Sequence, residues 1–488
     1  MSRKRLIVMK FGGTSVGNAE RFRQCAGIIA STARHDRIIV VVSAMAGVTD
    51  LIFKTIDAAR HGDAATTEAS VRKFVAVHET LIAELFEKQA AEPVLEFARK
   101  TFEQFRNSSQ ALLALRSEIS GQAMDSLAAL GERISSWVLA NYVRQCGTDG
   151  EFVRAEDAII TDNTFGNAAP DMEATALTCG SNLLPLLDSG KIPIVGGYSG
   201  STKNGITTTL GRGGSDYSAT ILGAAVGADE VWIWTDVDGV LTADPRICPE
   251  ATILSEISFA EAIELAYYGA KVIHPKAVYP GVDAGFPIWI KNSFRPEVPG
   301  TKIASSAVSI NSPVKAVTCV GNASLITLVT GRDVHPAELF GRLFLRLGQE
   351  RLDVLFATQS SPEHALGLVV RKEDSSRILK LINNVFRIEL AQGVLHPVAV
   401  QNDVAVVTVL GESMRGTPGV LGRVFSSVGA CQVSVIAVAQ GASELSICFA
   451  VPSANATEIV RAVHHEFCGH EDFVLAASQS QVSLASGM

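Results

Sequence analysis

Long apolar runs, paired cysteines and concentrated positive charge are all missing from this 488-residue chain, and each absence removes a class of function. No uninterrupted apolar stretch reaches the roughly 20 residues that a membrane-spanning helix needs, so no membrane partner is expected. The first apolar run, Leu6 to Met9, breaks at Lys10; it is too short for the core of a secretory signal and lacks a small-residue cleavage site after it. Arg3-Lys4-Arg5 reads as a solvated lead-in to that run, and the cytoplasm is the expected compartment. The eight cysteines, Cys25, Cys146, Cys179, Cys248, Cys319, Cys431, Cys448 and Cys468, fall singly with no C-x-x-C spacing. They read as reduced, mostly packed thiols. The formal net charge is −8 with the basic residues dispersed, which is not the footprint of a nucleic-acid binder. Low-complexity tracts are absent too, which excludes a disordered chain.

What is present is the profile of a loop-rich globular enzyme, 47% hydrophobic and 19% charged with 41 glycines. A chain of this length exceeds one hydrophobic core, so two or three domains are expected. The first 300 residues alternate β-branched apolar runs with amphipathic helical stretches, which predicts an α/β domain with a parallel-rich sheet covered by helices on both faces. The strands are Leu6 to Phe11, the run starting at Arg37, Ile192 to Gly196, Glu230 to Thr235 and Pro287 to Lys291. Each passes straight into Gly, Ser, Asp or Asn, and such strand ends are where open α/β sheets bind ligands. From about Thr66 to Arg144 the apolar spacing turns helical, with His78 on the buried face as a packing residue. Proline and glycine density rises between Asn292 and Gly300, which places a domain boundary there. Beyond it a β-α-β theme occurs twice. Ser324 to Thr330, a helix near Ala337 to Gly348 and a strand Leu352 to Ala357 are echoed by Val404 to Leu410, a helix Val420 to Val428 and a strand Val433 to Ala439. Two small sheets packed side by side are expected, either binding a small molecule at their interface or serving only to dimerise.

Two glycine clusters carry the strongest chemical signal. Lys10-Phe-Gly-Gly-Thr-Ser15 ends a strand: paired glycines let backbone N–H groups approach phosphate oxygens, and the lysine supplies a compact cation. The lysine precedes the glycines, so this is not the G-x-x-x-x-G-K-[ST] loop. Leu210-Gly-Arg-Gly-Gly-Ser-Asp216 opens a helix and combines a guanidinium fork, a hydroxyl and an acid, suited to an anionic small molecule. A plain glycine turn explains neither Arg212 nor Asp216. Weaker candidates are Ser43 to Asp50, Gly131-Glu132-Arg133, Thr235-Asp236-Val-Asp238-Gly239 with Asp244-Pro-Arg246, and Gly269 to Pro275. Turn chemistry suffices for Asp238-Gly239, and His274 before a proline reads as structural.

With those residues in view, the sequence resembles the aspartate kinases of the amino-acid-kinase superfamily over nearly its whole length. Lys10-Phe-Gly-Gly-Thr-Ser-Val16, Ser43 to Asp50, Leu130-Gly-Glu-Arg133, Thr207 to Ala219, Trp234 to Val240, Asp244-Pro-Arg246 and Gly269 to Pro275 occur in the family's order. The resemblance implies an amino-acid-kinase catalytic domain at residues 1–300. Two ferredoxin-like α+β ACT domains at 315–398 and 399–478 and a tail at 479–488 would follow. Thr358 to His364, Met414 to Phe425 and Ala437 to Glu444 are most similar to the kinase half of bifunctional aspartokinase–homoserine dehydrogenases, although no dehydrogenase sequence follows them here. The strand near Val314 to Gly321 is expected to pair with the second ACT unit.

The implied reaction is transfer of the ATP γ-phosphoryl group to the side-chain carboxylate of L-aspartate, giving 4-phospho-L-aspartate, the first step toward lysine, threonine and methionine. ATP with Mg2+ is the implied cofactor, with no protein ligand assigned to the metal. By the same resemblance Lys10 bridges the transferring phosphate and Asp216 holds that lysine. Arg212 clamps the substrate α-carboxylate and Glu132 its ammonium, with Ser43, Thr49, Gly213, Gly214 and Ser215 completing the amino-acid pocket. Gly12, Gly13 and Ser15 cradle phosphates, while Thr235, Asp236, Leu241, Arg246, Lys271 and Val272 line the nucleotide side. Leu241 departs from the aromatic residue usual there, which puts adenine affinity in question. Gln359 and Gln440 are the implied contacts for a feedback amino acid, threonine or lysine. The family's glycine-containing helix start is replaced by Val334 to Phe340, so retention and loss of feedback both stay open. A homodimer or higher homo-oligomer through the ACT units is implied. The competing readings are a kinase of the same superfamily acting on glutamate, N-acetylglutamate or a nucleotide, and a non-catalytic amino-acid sensor on the kinase fold.

Overall fold

The computed structural model describes residues 4–116, 119–269, 272–306, 312–331, 336–360 and 364–469. They fall into two compact units, one of residues 1–240, 255–259 and 272–307, the other of residues 241–254, 260–271 and 308–488.

The strands of the first unit are β1 Leu6–Phe11, β2 Arg37–Val42, β3 Gly150–Val153, β4 Ile160–Thr161, β5 Ile192–Gly196, β6 Ser199–Thr202, β7 Thr207–Thr209, β8 Glu230–Thr235, β9 Glu256–Ser258, β10 Ile288–Asn292 and β11 Thr301–Ala304. Eight of them form one sheet in the order β3-β5-β2-β1-β8-β10-β11-β9, and β4, β6 and β7 form a separate small sheet. Pairing is parallel from β3 through β10, and β11 runs antiparallel to β10. Every residue of β1 is buried, as expected of a central parallel strand covered on both faces. Four backbone bonds carry the ladder just past the strand ends: Gly12 N–H to Trp234 O at 3.0 Å, Ser43 N–H to Phe11 O at 3.1 Å, Gly197 N–H to Val42 O at 2.8 Å and Ser293 N–H to Thr235 O at 2.9 Å. The loops after β5, β2, β1, β8 and β10 therefore leave the sheet side by side at its carboxyl edge.

The helical stretch resolves into helices Ala64–Leu85, Lys88–Leu115, Gly121–Ala128 and Leu130–Gln145. His78 is buried, with Nδ1 2.7 Å from Phe74 O and its ring packed against Phe74 and Phe102. Burial pushes its imidazole down to about 4, so it is a neutral packing residue. No helix among the described residues is long and apolar enough to cross a membrane.

The strands of the second unit are β12 Ala316–Val329, β13 Phe356–Ser360, β14 Ala365–Arg371, β15 Ala399–Leu410, β16 Ala437–Gln440 and β17 Ser446–Pro452. They form one sheet, β13-β14-β12-β15-β17-β16, antiparallel throughout. The two halves are thus fused through β12 and β15, not merely set side by side. Residues Ala316 to Val320 pair with Val406 to Leu410, and a register shift follows between Val320 and Ala323, where Asn322 takes a positive φ of 56°. Leu352 and Leu355 are apolar as a strand would require, yet pairing with β14 starts only at Phe356; Leu352 instead packs with Leu343 and Leu347 into the core between helices and sheet. Likewise, the strand expected from Val433 is confined to Ala437–Gln440.

Segments 241–254 and 260–271 belong to this unit through specific bonds. Thr242 O accepts from Val317 N–H at 2.8 Å. Lys315 Nζ lies 3.0 Å from Glu261 Oε2 with both side chains buried, and the other oxygen of Glu261 accepts from Glu412 N–H at 2.8 Å.

Candidate active site

Lys10 is the penultimate residue of β1, only 8% exposed. Its Nζ lies 2.5 Å from Asp216 Oδ1. Asp216 sits in the first turn of helix Gly214–Val226, whose cap Gly213 has φ +70°. A Cβ on Gly13 would stand 3.0 Å from Ala44 O, so glycine there lets the loop after β1 close on the loop after β2, where Ala46 N–H bonds Gly13 O at 3.1 Å. The lysine and the acid come together because a strand end and a helix start converge, the arrangement that suits an anion.

Glu132 is 4% exposed and lies in the first turn of helix Leu130–Gln145. Its Oε2 has no hydrogen-bond partner among the described residues. Burial raises its carboxyl to about 7, against the pull of its own amide and that of Ala44. Gly131 makes this placement possible, since a Cβ there would meet Ala44 Cβ at 2.8 Å. A buried carboxylate with a bare oxygen beside a loop is a seat for a cationic group.

Ser43 and Thr49 are half-buried on the loop and helix that follow β2. Ser215 presses against Gly197, where a Cβ would lie 2.8 Å from the Ser215 Cβ. Gly214 touches Tyr198 in the same way, so Gly214, Ser215, Ser43 and Glu132 border the loops leaving β2 and β5, whereas Gly213 packs against His274. Arg212 is exposed and pairs with no acidic group among the described residues, a guanidinium left open toward solvent.

On the other side of β1, Thr235 ends β8 and Asp236 follows it, with Thr235 Oγ1 3.3 Å from Asp236 Oδ1. Gly12 is buried. Ser15 is buried with its hydroxyl 2.7 Å from that of Ser293; that hydroxyl is engaged within the protein. Val272 is half-buried, while Lys271 lies outside the described residues. Leu241 and Arg246 belong to the second unit, where Leu241 bridges Ile253 and Arg246 NH2 pairs with Asp244 Oδ2 at 2.6 Å. Gln359 on β13 and Gln440 on β16 are both exposed.

Three residues near the site escape a reading of motifs. Tyr198 follows Gly196-Gly197 and holds φ +67°, a strained position for a non-glycine residue. Its phenol is raised by burial, and the charges of Glu132 and Asp125 add to that. Asp125, 1% exposed, accepts from Thr209 N–H and Thr209 Oγ1, both at 2.8 Å, and from Gly166 N–H at 2.9 Å. It fixes the strand that leads into Arg212. Asn167 meets Lys276 and packs under Gly211. None of the three has a spacing signature. A surface cavity of about 630 Å3 opens instead at the amino ends of β2 and β5, lined by Arg34, Arg37, Cys146 and Lys191; it contains none of the predicted site residues.

The carboxyl edge thus offers a lysine cation, a buried carboxylate and an exposed guanidinium, groups suited to an anion transfer onto a zwitterion. Comparison with known proteins agrees. Residues 5–292 match the amino acid kinase family and residues 407–467 an ACT domain. The lysine-sensitive aspartokinase 3 of Escherichia coli is 31% identical over 94% of this chain and 98% of its own length. The bifunctional aspartokinase/homoserine dehydrogenase 1 of Arabidopsis thaliana is 31% identical over 94% of the chain but 51% of its own length. The chain therefore spans about half the length of such bifunctional relatives. Escherichia coli aspartokinase III in complex with aspartate and ADP superposes with a TM-score of 0.80 at 28% identity, covering 94% of this chain and 99% of that one. The same enzyme with lysine and aspartate gives 0.77, covering 95% and 99%.

Proposed function

The chain belongs to the amino acid kinase family and carries an ACT domain, and from that premise we propose that it is an aspartate kinase, moving the γ-phosphoryl group of ATP onto the β-carboxylate of L-aspartate. The observation that carries the reading is Glu132: a buried carboxylate with one bare oxygen, close to the strand end and helix start where Lys10 and Asp216 pair. An ammonium set on Glu132 and an α-carboxylate on Arg212 leave the side-chain carboxylate of aspartate to face the cation of Lys10. That carboxylate is already a nucleophile, so the protein needs no general base. Its work is alignment and charge neutralisation as the phosphoryl group passes. Gly12, Gly13 and Ser15 would cradle phosphates, with Thr235, Asp236 and Val272 on the nucleotide side.

Magnesium would arrive with the nucleotide. Of the acids beside the strand ends, Asp216 is engaged by Lys10 and Asp238 by Asn292 and Arg295, which leaves Asp236, met among the described residues only by the Thr235 hydroxyl, as a single carboxylate there. The described residues therefore offer no all-protein cage, and the ion's ligands would be phosphate oxygens and water.

Regulation by an amino acid is part of the proposal: a relative is named lysine-sensitive, and Gln359 and Gln440 stand exposed on opposite edge strands of the second unit. A homo-oligomer assembled through that unit, working in the cytoplasm, completes the reading; all eight cysteines are free, the state that a reducing compartment maintains. The test is ATP- and magnesium-dependent hydroxamate formation with aspartate and, separately, glutamate, with threonine or lysine added. Aspartate-selective turnover is expected. Turnover of glutamate alone would overturn the substrate assignment, and none with either would favour a non-catalytic sensor.

A further inference from the structure

The second unit holds a cluster of donor atoms that the catalytic reading does not use. Residues 241–253 fold back on themselves: Leu241 bridges Ile253, Thr242 N–H bonds Thr252 O at 2.9 Å, and Cys248 N–H closes on Asp244 O at 2.9 Å. The tip carries Cys248-Pro249-Glu250, and helix Ala456–Cys468 packs there with His464. The ligand atoms of Cys248, Glu250 and His464 all lie within 4.8 Å of one another. Cys248 is fully buried and His464 is 1% exposed, whereas Glu250 reaches solvent.

His464 points to what belongs between them. Its Nε2 is 2.9 Å from Thr242 Oγ1, while its Nδ1 is buried with no hydrogen-bond partner. The nearest carboxylate atom, Glu250 Oε1, is 3.7 Å away, too far for a hydrogen bond. With Nε2–H donating to the threonine hydroxyl, Nδ1 presents a lone pair to a thiol sulfur and a carboxylate oxygen, and such an orphan in the interior is costly. A ligating histidine commonly has its second ring nitrogen anchored in this way by a neighbouring acceptor.

We propose that Cys248, Glu250 and His464 bind one zinc ion, with water in the fourth position on the solvent side of Glu250. Thiolate, imidazole and carboxylate are the ligands zinc takes in tetrahedral sites, and a sulfur donor with an imidazole disfavours magnesium or calcium. The charges balance: one thiolate and one carboxylate against a dication leave a neutral cluster, which can be buried cheaply. On binding, the Cys248 S–H bond breaks, its proton passes to solvent and the sulfur pair bonds the metal. The ion would clip the 241–253 hairpin to the last helix of the unit, a structural role with no bearing on the phosphoryl transfer proposed above.

The test uses the full-length protein purified without a metal-binding tag, and reads metal without any turnover. Elemental analysis after gel filtration is expected to find about one zinc per chain, lost in Cys248→Ser. Cobalt(II) added to zinc-depleted protein should give a sulfur-to-cobalt charge-transfer band, absent in Cys248→Ser. Glu250→Gln changes an exposed residue that can hardly unfold the protein, and it should weaken cobalt binding at least tenfold. Zinc at background level together with no charge-transfer band overturns the proposal. A band that persists in Cys248→Ser, or cobalt affinity unchanged in Glu250→Gln, overturns it as well.

Discussion

Lys10 Nζ and Asp216 Oδ1 lie 2.5 Å apart with side-chain exposures of 10% and 15%, one from the central strand of the sheet and the other from the first turn of a helix. An ion pair this shielded holds its lysine in one place, and a phosphate arriving there meets a cation already aimed. Lys10→Ala should therefore lower kcat by about 10²- to 10³-fold, the cost of removing one preorganised charge from a transfer site. Asp216→Asn should fall nearly as far, because the lysine loses its anchor. If the two act as a unit, the double variant will be scarcely worse than the poorer single one. Hydroxamate assays on the four proteins decide it; additive losses would mean that the residues work separately.

Glu132 sets a pH dependence whose direction follows from its burial. Its carboxyl titrates at about 7, so below that pH it is neutral and cannot hold an ammonium by charge. For the free enzyme, kcat/KM for aspartate should rise about tenfold per pH unit up to 7 and level off above it. Glu132→Gln should flatten the profile and raise KM more than it lowers kcat. A wild-type profile that stays flat from pH 5.5 to 8 would remove Glu132 from the amino-acid pocket.

Asp125 touches no predicted substrate group, yet it takes three hydrogen bonds from Thr209 and Gly166. Asp125→Asn would leave one oxygen for the two N–H donors but remove the charge and set an NH2 where the Thr209 hydroxyl now donates, costing about 1–3 kcal/mol of stability and loosening the approach to Arg212. KM for aspartate should rise about tenfold with kcat less affected. The same substitution made in an Arg212→Ala background should leave KM where it stands. A stability loss with no change in KM would make Asp125 purely structural.

Much of this was readable before the fold. The strand ends at Phe11, Gly196 and Thr235 were legible because a buried parallel strand is an apolar run that stops at a glycine or a polar residue. Lys10 and Asp216 stood out because each flanks paired glycines at the end of an element, and the structure pairs them. Asp125 and Tyr198 were not, since each matters through partners far away in sequence, and neither a lone acid on a helix nor a tyrosine after two glycines carries spacing. The fusion of the two β-α-β halves through β12 and β15 was also hidden: periodicity identifies a strand but not its neighbour. The hairpin from Leu241 to Ile253 shows no alternation, and its ties to helix Ala456–Cys468, Thr242 with His464 and Ile247 O with Arg461, join residues more than 200 positions apart.

Lys291 offers a last test, one of stability alone. It ends up 5% exposed on β10, with Nζ 5.1–5.6 Å from the ring centres of Trp232, Trp234 and Trp289 and 2.8 Å from Pro299 O. Burial lowers its ammonium to about 8, only partly offset by the carboxylate of Glu230. Below pH 8 the group is charged in both folded and unfolded chains, and the folded state bears the full desolvation cost. Between 8 and its ordinary value the folded lysine is neutral while the unfolded one still binds a proton, so stability gains as pH rises. Lys291→Met removes the titration. The unfolding free energy of the wild type relative to this variant, taken from urea titrations, should climb from pH 7 to pH 10, by an amount on the order of 3 kcal/mol at full relief. A difference that stays constant across that range would mean that the three indoles and the proline carbonyl hold the ammonium charged, and that the cage stabilises the cation it encloses.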